Sequence, residues 1–259
     1  MFFARSALGL LALACAGSAF AQGTITDGAA MFARTATPFD NTPTGNFTGV
    51  SATTTQDHLF ETGWFFRVAG DTREFPIGAP STQNYAAATS TLNWTDVAAR
   101  GLFSAQEVST VTNFSGPSGR IEMTLTITNL SASTPLVIDI FHMLDFDLQP
   151  TAGNDSATQI GTTRMGLTDP GGATAEYVGI NATAYMVRPF GGTDLGAVLD
   201  DTAVTNLDNS GLPFGPADFT SAMQWANRTI APSGSASFVA QFSVNTGTVP
   251  VALQSFSID

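Results

Sequence analysis

Between Gly119 and Gln149 the chain reads GRIEMTLTITNLSASTPLVIDIFHMLDFDLQ, and apolar side chains recur at alternate positions through most of it. A period of two belongs to extended backbone, whose side chains alternate between faces; a helix cannot present that pattern on one side. In the first half Ile121, Met123, Leu125 and Ile127 alternate with Glu122, Thr124, Thr126 and Thr128, as in a strand with one buried and one wet face. In the second half Ile138, Ile140, His142, Leu144, Phe146 and Leu148 share one face, and Asp139, Phe141, Met143, Asp145 and Asp147 the other. The spacing predicts two long antiparallel strands joined by a loop over 129–135, with the rest of the chain packed against this pair.

Shorter strand patterns recur on both sides of the pair. They fall over 83–95, ending at Trp94, then 105–114, near 157–167, 174–180, 183–189, 219–230, 236–244 and a last one over 251–259. Short strands at regular spacing, separated by Gly, Pro, Asn and Ser, predict an all-β antiparallel sandwich. Helix is confined to two short pieces. One is a turn from Asp96 to Arg100, capped by Thr95 and closed by Gly101; the other is TDLGAVLDD, with Asp194 in its first turn, expected to plug an end of the sandwich. With no fixed-period repeat and no linker, residues 22–259 read as one domain, a two-lobed sandwich being the alternative.

Residues 1–21 carry one cation at Arg5, an apolar run from Ala7 to Ala16 and small residues at Ala19 and Ala21, which predicts a cleaved secretory signal too short to span a bilayer. Cys15 offers a lipoprotein reading, but the leucine before it, Leu13, sits one place later than such signals have it, so ordinary cleavage is expected. No hydrophobic anchor is read near the C-terminus. The mature chain then has no cysteine, and a hydrophobic core must hold the fold outside the cell without disulfides. Every basic residue is arginine: nine of them against 21 acids give a net charge of −12. A surface of that sign repels phosphate backbones and anionic lipid, so nucleic acid and membrane surfaces are disfavoured as partners. The absence of lysine and of mature cysteine gives the chain a bacterial cast. The Asn-x-Ser/Thr triplets at Asn93, Asn113, Asn129, Asn181 and Asn227 are accordingly read as polar residues at strand edges.

Two phrases, TLTITNLSASTPLVIDIF and RTIAPSGSASFVAQFSV, are similar to immunoglobulin-like and supersandwich modules of bacterial secreted proteins. DHLFETGWFFRVAGDTREF together with FHMLDFDLQPTAGNDSA resembles a group of uncharacterised secreted bacterial β-sandwich proteins. The resemblance implies the fold and the compartment. It brings no activity, since fold-level likeness does not transmit chemistry.

Several residues could carry function. Asp145 and Asp147 share one strand face, and Asn154 and Asp155 follow a glycine turn; hard oxygen donors at that spacing suit Ca²⁺, although no closing glutamate makes an EF-hand loop. The same two aspartates, or Asp71 and Glu74 beside Arg73, are candidate paired acids for glycoside chemistry. Trp64, Trp94 and Trp225 could form a sugar platform or could be core. His142 lies in an apolar row and reads as buried and hydrogen-bonded; His58, beside Asp57, reads as more exposed, with Asp57 able to orient it. Arg67 and Arg73 are expected to pair with Asp71 and Glu74 across a tight turn. Two histidines and no mature cysteine exclude an ordinary zinc site, and no nucleophile elbow, P-loop or dinucleotide fingerprint occurs. The leading expectation is a non-enzymatic, secreted or cell-surface structural or binding module whose partner is a glycan or another surface protein. The rival is a carbohydrate-active enzyme on a supersandwich scaffold, and a third reading is a calcium-stabilised module of either kind.

Overall fold

The computed structural model describes residues 23–37, 39–48, 57–114, 117–148, 150–151 and 153–247. The expected signal segment, Cys15 and the expected last strand over 251–259 lie outside them. The chain opens with a small meander of β1 (Gly23–Asp27), β2 (Ala30–Ala36) and β3 (Pro43–Thr48). β4 (Leu59–Val68) and β5 (Phe75–Pro76) come next, then the hairpin β6 (Thr82–Ala86) and β7 (Thr89–Trp94), and the long strands β8 (Phe103–Asn113), β9 (Ser118–Asn129) and β10 (Leu136–Phe146). β11 (Asp155–Gly161), β12 (Arg164–Thr168), β13 (Thr174–Ile180) and β14 (Ala184–Pro189) lead to the helix α1 (Leu195–Leu199). β15 (Phe214–Ala217), β16 (Phe219–Ile230) and β17 (Ser235–Asn245) close the described chain.

Apart from the meander, the strands form two sheets. One has nine strands in the order β15-β11-β12-β13-β17-β9-β8-β7-β6, the other five in the order β14-β16-β10-β4-β5. Neighbouring strands in both run antiparallel, so the fold is the all-β antiparallel sandwich that the alternation predicts.

One expectation is overturned. β9 and β10 do not pair: β9 lies between β8 and β17 in the large sheet, and β10 between β4 and β16 in the small one. The loop over 130–135 carries the chain from one layer to the other. Asn129 holds that crossing, its Nδ2 donating to the carbonyls of Thr134 (2.8 Å), Ile230 (3.2 Å) and Ala231 (3.2 Å) while Oδ1 accepts from the Ser131 amide (2.9 Å). It is therefore a buried anchor and not a strand-edge polar residue. Alternation assigns faces to a strand; it does not name the strand's partner.

The faces themselves are as read. Ile121, Met123, Leu125 and Ile127 of β9 meet Ile138, Ile140, Leu144 and Phe146 of β10 in one buried cluster, to which all three sheets contribute. His142 sits within it, fully buried. Tyr177 on the opposite sheet donates its one hydroxyl proton to the His142 carbonyl (2.8 Å), so His142 Nδ1–H donates to the tyrosine oxygen (2.9 Å) and Nε2 accepts from Thr62 (3.0 Å). Burial, with Arg34 nearby, pushes the imidazole down to about 3, so it stays neutral.

The other face of β10 is also covered. Phe141 and Met143, with Phe65 and Ala222, pack beneath Leu195 and Leu199 of α1. The helix thus lies on the outer face of the small sheet and does not plug an end. Asp194 is its N-cap, accepting from the Ala197 amide (2.8 Å). At the first expected turn the 3-10 segment Val97–Ala99 is preceded by Asp96, not Thr95, and Asp96 accepts from the amide of Gly101, whose φ of 65° suits glycine. On the opposite flank Arg34 of β2 reaches Glu107 and Ser109 (2.7 Å) of β8, a buried ion pair that ties the meander to the large sheet.

Candidate functional site

Along the outer face of β10 the row Phe141, Met143, Asp145, Asp147 changes from apolar to acidic where α1 no longer covers it. Register brings further acid to the same place. Glu61 of β4 lies directly across from Asp145, and like charges directly opposite on adjacent strands repel. Asp218, between β15 and β16, completes a concavity of about 140 Å³ lined by Phe60, Asp145, Asp147, Phe190 and Asp218. Phe60 and Phe190 are 56% and 52% exposed, two large apolar rings held at the rim of an acidic pocket.

The electrostatics of the pocket are uncompensated. Burial pushes Asp145 up to about 8, and the charged groups that add to the shift are all acids: Asp218, Asp147, Glu61 and Asp194. Burial and then Asp218 and Asp57 raise Asp147 to about 6; burial and then Asp194 raise Glu61 to about 7. Asp218 is displaced upward too, by burial. Several acids elsewhere have cationic partners. Asp71, although burial works the other way, is held below its ordinary value by Arg100 at 2.7 Å, and Arg67 joins Glu74 (2.5 Å) to Asp139. The expected pairing across the 67–74 turn is thus only partly realised: Arg67 takes Glu74, whereas Asp71 takes Arg100 and Arg73 lies over the Phe75 ring at 4.5 Å.

The four expected metal ligands differ in exposure and in partners. Asp145 and Asp147 face the pocket. Asp155 is 1% exposed behind it; its Oδ2 accepts from the Leu148 amide (3.0 Å), its Oδ1 has no hydrogen-bond partner, and burial raises it to about 7. Asn154 is exposed, its amide donating to the Thr151 carbonyl (3.1 Å). Among the described residues no three His, Cys, Asp or Glu side chains are grouped so as to hold a metal ion.

The three tryptophans are core residues, at 2%, 3% and 2% exposure for Trp64, Trp94 and Trp225, and cannot form an aromatic strip on the surface. Trp64 packs against His142 (ring centroids 4.4 Å) and Trp225 (5.7 Å), while Trp94 and Trp225 donate their indole N–H to the carbonyls of Gly78 and Ile180. Burial of large rings between two sheets outweighs anything they would gain at a wet surface. His58 is also fully buried rather than exposed, and burial lowers it to about 4; Asp57 accepts from Asn46 and from the Leu59 amide. The residues at the pocket not named as site candidates from sequence are Phe60, Glu61, Phe190 and Asp218. A lone phenylalanine before the Gly191-Gly192 turn was a visible signal for Phe190; the other three depend on register.

Among the described residues no helix is long and apolar enough to cross a membrane. No family model and no curated protein matches the chain. Among solved structures it is similar to a polysaccharide lyase, with a TM-score of 0.48 and 9% identity, over 86% of this chain and 34% of that one. The chain thus spans about a third of the lyase's length, and likeness at that level concerns the arrangement of strands and says nothing of chemistry.

Proposed function

We propose that the protein is a non-catalytic binding module whose pocket between Phe60 and Phe190 takes a ligand bearing an alkylammonium group. The observation behind this reading is a set of three pocket carboxyls raised by burial, two of them, Asp145 and Asp147, pushed further by neighbouring acids, flanked by two exposed aromatic rings. A cation relieves the mutual repulsion of Asp145, Asp147 and Asp218, while its alkyl groups lie against the ring faces. A bare calcium ion gains nothing from the rings and needs six to eight oxygens; a neutral glycan leaves the acids unpaired.

Choline is the direct probe because it does not titrate. Calorimetry should find binding of choline and none of its neutral isostere, in which carbon replaces nitrogen. Affinity should rise as pH goes from about 6 to about 8, as Asp147 and Asp145 release their protons, and should drop in Asp145→Asn and Phe190→Ala. Equal binding of the isostere, or binding of calcium without choline, would sink the reading.

One observation favours a second reading, the paired-acid enzyme. Asp145 and Asp147 are split, near 8 and near 6, as an acid and a base must be. Release of reducing ends from a glycan panel, lost in both Asp145→Asn and Asp147→Asn, would support it.

A further inference from the structure

We infer that the outer face of the nine-stranded sheet is a docking surface for a neutral polysaccharide laid across the strands, a site separate from the acidic pocket. On that face Thr82, Asn93, Gln106, Thr126 and Ser237 stand side by side on β6, β7, β8, β9 and β17. They are exposed or half-exposed. Hydrogen bonds join them in two groups: Asn93 Nδ2 donates to Thr82 (3.1 Å) and Gln106 Nε2 to Asn93 Oδ1 (2.9 Å), and the hydroxyls of Thr126 and Ser237 meet at 2.9 Å. A second row, Ser104, Thr128 and Ser235, runs beside it, with Thr128 and Ser235 at 2.8 Å. The two rows border an open groove of about 360 Å³.

The chemistry of the rows selects the occupant. Neither row contains a charged side chain, in a chain with a net charge of −12. The charges of this face lie toward the other end of the strands, where Arg164 pairs with Glu176 (2.5 Å), Glu122 accepts from Gln241 (2.6 Å) and Arg120 lies over the Phe114 ring at 5.1 Å. An ionic ligand finds nothing to neutralise it over the two rows. Amides and hydroxyls both donate and accept, which is what sugar hydroxyls require. Strands about 4.8 Å apart repeat these groups at close to the length of one sugar unit, so a glycan running across the strands meets a polar partner at each step. The hydrogen bonds within the rows and the stiff threonine side chains already fix the rotamers, so little freedom is lost on docking, and many weak contacts along one polymer add up.

Cross-strand hydroxyl pairs also support a sheet with no ligand at all, and a polar sheet can stack on its own copy. Affinity electrophoresis of the full chain in gels containing hydroxyethylcellulose or xylan separates these cases, mobility being compared with a gel lacking polysaccharide. The expected result is retardation of the wild type, weakened several-fold in Gln106→Ala and abolished in Thr126→Val with Gln106→Ala. Both positions are at the surface, and an unchanged melting temperature verifies that the variant is folded. Absence of retardation in both gels, equal retardation of the double variant, or a sedimenting dimer that the double variant dissolves would each overturn the inference.

Discussion

Asp145 and Asp147 are two residues apart at one end of the same strand, yet Asp145 is pushed up to about 8 and Asp147 only to about 6. Asp145 is 3% exposed and is acted on by four other acids, whereas Asp147 is acted on by two. An unfolded aspartate titrates near 4, so between about 4 and 8 the native state holds a proton that the unfolded chain releases. Stability from this group is complete below about 4 and is lost as pH rises through about 8. The buried histidines act in the opposite sense. His142 and His58 are displaced down to about 3 and about 4, so their contribution is present above about 6.5 and is lost as pH falls. Above about 6.5 only the acids still act, and the wild-type urea midpoint should decline toward pH 8.5. Asp145→Asn removes the titrating group while keeping its shape. It should raise stability at pH 8.5 by on the order of 2 kcal/mol and change it little at pH 5. A variant as sensitive to alkali as the wild type would show that Asp145 is not the group responsible.

At the scale of elements, α1 brings two effects into competition. A helix of five residues does not persist alone, so Leu195 and Leu199 hold it against the small sheet while Asp194 caps its first turn. The cap contributes about 1 kcal/mol, but its charge also acts on Glu61 and Asp145. Asparagine keeps the accepting oxygen and removes the charge. At pH 8, Asp194→Ala should therefore lose up to about 1 kcal/mol in urea denaturation, whereas Asp194→Asn should be neutral or stabilising. If the two variants fell equally, the charge itself would be what stabilises the helix. The sequence made this helix visible through the spacing of Leu195, Val198 and Leu199 but left its resting place open. The clue was the second apolar face of β10, Phe141 and Met143, which had to be covered by something. Pairing was less legible. Nothing in the period of β9 and β10 distinguishes a hairpin from a crossing between sheets, a choice made by loop 130–135 and the carbonyls that Asn129 gathers. The tryptophans raised the same difficulty, because strand alternation is compatible with either an inner or an outer aromatic row.

Across the whole molecule, the acidic pocket results from how few cations there are and where they go. Arg34, Arg67, Arg100 and Arg164 are engaged in ion pairs with Glu107, Glu74 and Asp139, Asp71, and Glu176 respectively, and Asp145, Asp147 and Asp218 are left to one another. Asp145 and Asp147 could be named from sequence because they are neighbours in it. Glu61 and Asp218 could not, since 84 and 73 positions separate them from Asp145 and only the register of β4, β10 and β16 brings them in. This distribution fixes how the protein must respond to salt. The screening length shrinks from about 30 Å at 0.01 M to about 3 Å at 1 M, which weakens repulsion and attraction alike. The most exposed of the ion pairs, Arg164–Glu176, contributes less than about 1 kcal/mol, and the buried Arg34–Glu107 pair is poorly screened, so salt removes little attraction. Repulsion therefore decides the sign, and it depends on ionisation. At pH 8.5 the pocket acids are largely charged, and added sodium chloride should raise the melting temperature. At pH 5.5 Asp145, Glu61 and Asp155 are mostly protonated, and the same salt should raise it less. Thermal scans at both pH values check this, and an equal rise would assign the effect to the net charge of the whole surface and not to the pocket.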